Sequence, residues 1–222
     1  MKKSFERIIS LVGIENFEKI LNSKVAIVGL GGVGGASATC LARCGVGNLV
    51  IVDFDKVAPS NINRQFVASI NTIDQNKTDV LSKQLKEINP DLNITVLNEK
   101  FNEESSLFEY EFDYLIDCID DVNNKLLLIK TCQEKGINFI SSMGTAKKMD
   151  LKKLVITNLS KTTYDPLAKV VRKKAKELGL KDFKVLSSTE EIINIDSLGS
   201  YMPVVTTAGL MLADYIIKEI IK

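Results

Sequence analysis

Arg64, Lys77 and Asp120 have the residue types and placement that phosphate and metal chemistry needs. The planar fork of an arginine offers paired donors to a phosphate. Lys77 stands at the start of a helical pattern running from Asn76 to about Asn89, where the helix dipole opposes positive charge. An ammonium aimed at a polyphosphate accounts for a lysine there. Asp120 follows the buried strand pattern FDYLIDCI, Phe112 to Ile119. A carboxylate facing a triphosphate is repulsive unless Mg²⁺ lies between them, so one of the pair Asp120 and Asp121 is a metal-site candidate. The plainer alternative is that Asp120 and Asp121 cap the next helix, a role that suits Asp121 in particular.

These side chains need a scaffold, and the stretch Lys24 to Asp53 supplies it. An apolar run, Val25 to Val28, meets the glycines Gly29, Gly31, Gly32 and Gly34, and a helical pattern follows to Cys44. Leu49 to Val52 then forms a second apolar run ending on Asp53. This is a G-x-G-x-x-G turn inside a strand–helix–strand unit with an acid at the tip of the second strand. The turn lets backbone approach a phosphate, and the free N–H groups of the helix start favour an anion. Asp53 is placed to accept hydrogen bonds from ribose hydroxyls. Asp55, Asn61, Asn63, Arg64 and Gln65 fall just beyond the same strand end, where open α/β sheets bind ligands. Their bland reading is a helix cap at Pro-Ser-Asn with an exposed first turn; the neighbouring glycine loop favours the functional one.

Composition narrows the chemistry. The 222 residues are 45% hydrophobic, enough for one compact core, and the formal charge of +1 argues against a uniformly basic nucleic-acid coat. The chain has no histidine, which excludes Ser–His and Cys–His machinery. Proton transfer must rest on carboxylates, lysine or the substrate. Cys40, Cys44, Cys118 and Cys132 form no C-x-x-C pair and read as small thiols in a reducing cytosol. Lys2 and Lys3 lead into charged amphipathic sequence rather than a signal peptide, and no apolar run approaches the roughly 20 residues that span a bilayer. A cytoplasmic protein with no membrane association is expected.

The remaining chain completes an α/β pattern. One or two short helices are expected over residues 4–22; Arg7 in this arm reads as a solvated charge. Strands are expected at Ile94–Leu97 and Ile137–Ser142, with Met143, Gly144 and Thr145 turning over the sheet top. Lys153–Leu159 alternates as an antiparallel addition. Residues 161–184 carry eight basic residues against Asp165, Glu177 and Asp182, a block that is either a solvated helix face or a polynucleotide contact. Residues 187–202 are polar and loop-like, before a final helix. The expectation is an α/β, Rossmann-like three-layer fold whose mainly parallel sheet is extended by antiparallel strands. It is one domain over residues 1–222, with a helical arm at 1–23 and a basic helical segment at 161–184.

Taken together, Gly29-Leu-Gly-Gly-Val-Gly34, Asp53-Phe-Asp55, Asn61-x-x-Arg64-Gln65, Lys77 and Cys118-Ile-Asp120 resemble the ubiquitin-activating-type (ThiF/MoeB-like) adenylating enzymes. That resemblance, over residues 4 to about 145, implies Mg-ATP rather than NAD, and attack of a substrate carboxylate on the α-phosphate. It implies that Asp53 holds the ribose, that Arg64 and Lys77 hold the phosphates, and that Asp120 holds Mg²⁺ or orients the transferring group. It also implies a homodimer in which Arg7 reaches the partner's ATP. Asn61 to Gln65 and Leu159 to Ala168 are most similar to the tRNA threonylcarbamoyladenosine dehydratases (TcdA/CsdL-like). That branch implies tRNA as the partner, and a sulfur-transfer or cysteine desulfurase system as a further one. It needs no enzyme nucleophile, in keeping with the absence of cysteine after Cys132. Two alternatives are an adenylyltransferase for a ubiquitin-like sulfur carrier and, from the glycine turn alone, an NAD-dependent oxidoreductase.

Overall fold

The computed structural model describes residues 3–222; Met1 and Lys2, part of the targeting reading above, lie outside it. Five parallel strands build the body of a seven-stranded sheet: β1 (Lys24–Val28), β2 (Asn48–Val52), β3 (Asn93–Leu97), β4 (Tyr114–Asp117) and β5 (Asn138–Ser142). Two more, β6 (Leu154–Asn158) and β7 (Lys184–Ser188), complete the order β3-β2-β1-β4-β5-β7-β6. β7 lies parallel to β5, and only β6 runs antiparallel, at the edge. β1 and β2 are buried almost throughout, as strands covered on both faces must be.

Helices make the two outer layers. Val25 and Ile27 of β1 face a core with α3 (Gly32–Arg43), α4 (Lys77–Ile88) and the apolar α7 (Met202–Ile220). Ala26 and Val28 point the other way, toward Leu128 and Cys132 of α5 (Val122–Lys135). α6 (Pro166–Glu177) packs beside α5 through Ala168, Val171 and Ala175. The period of two along β1 thus splits its side chains between two cores. The three-layer, mainly parallel expectation holds.

The expected N-terminal arm is two helices, α1 (Glu6–Val12) and α2 (Ile14–Asn22), broken at Gly13, whose φ of 83° suits glycine. Two boundaries differ from expectation. The basic block is not one helix: α6 covers only 166–177, because Gly179 turns the chain at φ 68° and β7 begins at Lys184. Likewise Ser187 and Ser188 belong to β7 rather than to the polar loop, which spans 189–201. Their polarity hid the strand. Ser187 is buried because its hydroxyl donates to Asp165 Oδ2 at 3.1 Å.

Candidate nucleotide and adenylation site

A cavity of about 430 Å³ opens beyond the carboxyl ends of β1, β2 and β4, within the size range of small-ligand sites. The glycine loop forms its floor. Gly29 has φ 89°, and a Cβ there would lie 2.7 Å from the Cys118 carbonyl oxygen. At Gly34 a Cβ would meet the Gly29 carbonyl at 1.8 Å, so helix and loop touch too closely for any side chain. Gly31 is different: its nearest neighbour would be Gln65 Nε2 at 3.9 Å, so a side chain would project into the cavity. Bare backbone at that point is what close approach of a phosphate requires.

The carboxylates and cations divide between holding the loops and facing the cavity. Asp53, nearly buried, accepts from Leu30 N at 2.6 Å through Oδ2 and from Asp55 N at 2.8 Å through Oδ1. Each oxygen keeps lone-pair capacity for a ribose hydroxyl. Burial pushes its carboxyl above the ordinary range, and Lys77 opposes that shift. Lys77 lines the cavity, but its ammonium also sits 2.7 Å from Asp55 Oδ2, which offsets the unfavourable helix position. The sequence reading gave Lys77 to phosphate alone; the structure gives it this partner as well.

Arg64 lines the same cavity, its Nη1 donating to the Ser60 carbonyl at 2.7 Å and to Asn63 Oδ1 at 2.9 Å. Asn61 spends Oδ1 on the Ala58 N–H, and so fixes the loop that carries Arg64. Gln65 Oε1 is buried in the cavity wall without a hydrogen-bond partner, an acceptor that a bound ligand can satisfy. Asp120 is exposed on the cavity wall, while Asp121 caps α5 by accepting from Asn124 N at 2.9 Å. The two acids have separate jobs. Among the described residues no three Asp, Glu, Cys or His converge, but Mg²⁺ at a triphosphate takes one or two carboxylates with phosphate oxygens and waters. One free carboxylate fits that demand.

Gly29, Gly31, Gly32, Gly34, Asp53, Asp55, Asn61, Arg64, Gln65, Lys77 and Asp120 therefore all line one cavity. Arg7 does not: it is exposed on α1, outside this chain's cavity. Sequence reasoning missed Lys100, on the loop after β3, which lies over the Phe54 ring at 5.6 Å and adds a third cation. Its place beyond a strand's carboxyl end was the available signal. Ser200 also lines the cavity, from the 189–201 loop.

A model of the ThiF family matches residues 5–222. The chain belongs to the ThiF family. The relatives below are named as a tRNA dehydratase and an adenylyltransferase, and one solved structure holds ATP, so the oxidoreductase expectation gives way. The chain is 35% identical over 246 residues to the tRNA threonylcarbamoyladenosine dehydratase of Bacillus subtilis, covering 100% of this chain and 96% of that one. The molybdopterin-synthase adenylyltransferase of Haemophilus influenzae is 38% identical over a shorter 168 residues, 74% of this chain and 68% of its own. Among solved structures, E. coli tRNA N6-threonylcarbamoyladenosine dehydratase, TcdA, in complex with ATP superposes with a TM-score of 0.93 at 27% identity, covering 98% of this chain and 93% of that one.

Proposed function

We propose that this ThiF-family chain is an ATP-dependent tRNA threonylcarbamoyladenosine dehydratase. The observation that carries the reading is the coincidence of two things. The cavity gathers the glycine loop, Arg64, Lys77 and Asp120, and the fold matches an ATP-bound dehydratase over nearly its full length.

In this reading Asp53 takes the ribose hydroxyls, Gln65 Oε1 accepts a ligand donor, and Arg64 and Lys77 spread the charge of the triphosphate. Asp120 would hold Mg²⁺, which would neutralise phosphate oxygens and favour in-line displacement. The carboxylate of the threonylcarbamoyl group attacks the α-phosphate and pyrophosphate leaves. The neighbouring amide oxygen then closes on the activated carbonyl and AMP departs with the oxygen that is formally lost as water. The substrate supplies its own nucleophile, so the absence of histidine is no obstacle.

The RNA is received on α6 and its flanks, where Lys161, Lys169, Lys173, Lys176, Lys181 and Lys184 are exposed. The enzyme acts as a homodimer in the cytoplasm, with Arg7 delivered to the partner's nucleotide, and a sulfur-transfer or cysteine desulfurase system is the further partner. No helix among the described residues is long and apolar enough to cross a membrane.

The test is AMP release from ATP. tRNA carrying threonylcarbamoyladenosine should stimulate it and be converted to a product lighter by one water. Stimulation by a protein carrier ending in Gly-Gly, with none by the RNA, overturns the reading in favour of carrier adenylation.

A further inference from the structure

Between β4, β5 and α5 lies an ion pair neither member of which lines the cavity. Lys125 and Asp117 are both fully buried, with Lys125 Nζ 2.7 Å from Asp117 Oδ2. Lys125 Nζ also donates to Ser141 Oγ at 3.2 Å and to the Ser142 carbonyl at 3.0 Å. Ser141 Oγ donates in turn to Asp117 Oδ2 at 2.6 Å, and Asp117 Oδ1 accepts from Ile119 N at 2.9 Å. Every ammonium proton and both carboxylate oxygens are used.

The burial is costly. Two charges withdrawn from water are repaid only by near-complete pairing, and apolar replacements of both are often neutral or stabilising. Stability alone therefore gives weak grounds for the pair. Its position gives better grounds. Asp117 ends β4, Lys125 lies in the first turn of α5, and Ser141 and Ser142 end β5. These are the three elements that enclose the turn Cys118–Asp121, and Asp120 stands on that turn. The same turn braces the glycine loop, because Cys118 N donates to the Val28 carbonyl at 2.8 Å and the Cys118 carbonyl closes over Gly29.

We propose that Lys125 is a positioning residue of the adenylation site: with Asp117 and Ser141 it fixes the turn that aims Asp120 at the nucleotide. The inference rests on the reading of Asp120 as the carboxylate that serves Mg-ATP. A pure packing role would be lost without selective effect on turnover; a positioning role acts on the metal-dependent step.

The decisive variant is the paired change Lys125→Met with Asp117→Asn, which leaves no stranded charge and keeps an acceptor for Ile119 N. Ser141→Ala serves as a milder, uncharged probe that removes one arm of the network. ATP affinity is measured by calorimetry in EDTA and in Mg²⁺, beside turnover by AMP release with modified tRNA. The expected result for the paired variant is an EDTA affinity within twofold of the parent, a collapsed gain on adding Mg²⁺, and kcat down at least tenfold with KM for ATP little changed. Ser141→Ala should lower kcat severalfold in the same pattern. Adding Asp120→Ala to the paired variant should leave the Mg²⁺ gain no lower than Asp120→Ala alone. Parent-like kcat in the folded paired variant, or in Ser141→Ala should the paired variant fail to fold, overturns the positioning role while leaving the site intact. Parent-like turnover in Asp120→Ala itself overturns the reading of the site, and this inference with it.

Discussion

Lys77 Nζ lies 2.7 Å from Asp55 Oδ2, with the lysine side chain 6% exposed and the aspartate 47% exposed. Backbone reinforces the contact, since Lys77 N donates to the Asp55 carbonyl at 3.0 Å. The first residue of α4 is thereby tied to the loop after β2, and a buried ammonium is held at the wall of the candidate cavity.

This pairing separates stability from affinity. Asp55→Ala strands the buried ammonium and is expected to cost about 1–3 kcal/mol in urea titrations. Lys77→Met leaves only a half-exposed carboxylate and should cost less. For ATP the order reverses: Lys77→Met is expected to lose at least about tenfold in affinity, or about 1.4 kcal/mol, while Asp55→Ala stays close to the parent. If Asp55→Ala proves the weaker ATP binder in calorimetry, the ligand contact belongs to Asp55.

Arg64 and Asp120 are expected to matter for chemistry and little for the fold. Arg64→Ala and Asp120→Ala should unfold within about 1 kcal/mol of the parent, as surface changes usually do. Each should reduce AMP formation by about 100-fold or more, the scale of a lost electrostatic contact to developing charge. Near-parental turnover in either chain removes that residue from the site.

Arg7 lies outside the cavity of its own chain, so the role proposed for it at a partner's nucleotide is tested across subunits. Coexpression of an Arg7→Ala chain with an Asp120→Ala chain should yield heterodimers with one intact site and a measurable fraction of parental activity. Purified heterodimers as inactive as either parent homodimer would place Arg7 outside the chemistry.

Asp53 gives a pH signature of unusual sign. Its carboxyl is held above the ordinary value of 3.8, first by burial, so the folded protein binds that proton more tightly than the unfolded chain does. Its contribution to stability is therefore greatest in acid and falls as pH rises through the interval between 3.8 and the raised folded value. Urea midpoints of the parent and Asp53→Asn, compared from pH 3.5 to 7, should show the difference moving against the parent as pH increases. A difference that stays constant, or moves the other way, contradicts the desolvated carboxylate.

The exposed lysines of α6 should govern RNA binding without touching ATP. Lys169→Ala, Lys173→Ala and Lys176→Ala together are expected to weaken tRNA binding and to flatten its dependence on log salt by about 2 units of slope. ATP affinity measured in the same preparation should be unchanged. An unaltered salt slope would locate the RNA on another face.

That the candidate site residues would share one cavity was legible in the sequence because its parts are local: glycines, Asp53, Asn61 to Gln65 and Lys77 all follow strand ends that the apolar runs mark. The Asp117–Lys125 pair was not legible. Asp117 sits inside an apolar strand run, and Lys125 follows Asn123 and Asn124 at a helix start, where lysine reads as solvated. Only the approach of β5 brings Ser141 and the Ser142 carbonyl close enough to satisfy the ammonium. β7 was obscured for the same reason, since the partner that justifies buried Ser187 is Asp165, 22 positions away. Local patterns reveal what solvent and turns dictate, and long-range polar satisfaction leaves little trace in them.

α7 presses on the other end of the chain. A Cβ at Gly32 would meet Val205 Cγ1 at 2.3 Å, a Cβ at Gly209 would meet the Val33 carbonyl at 2.4 Å, and Ser37 Oγ donates to the Gly209 carbonyl at 3.0 Å. The helix that begins at the glycine loop is thus backed by residues some 170 positions later in the chain. During synthesis, which proceeds from the N-terminus, the glycine loop must wait for α7 before its helix is seated. A nascent chain that has not yet exposed α7 therefore lacks the residues that back the helix of the glycine loop.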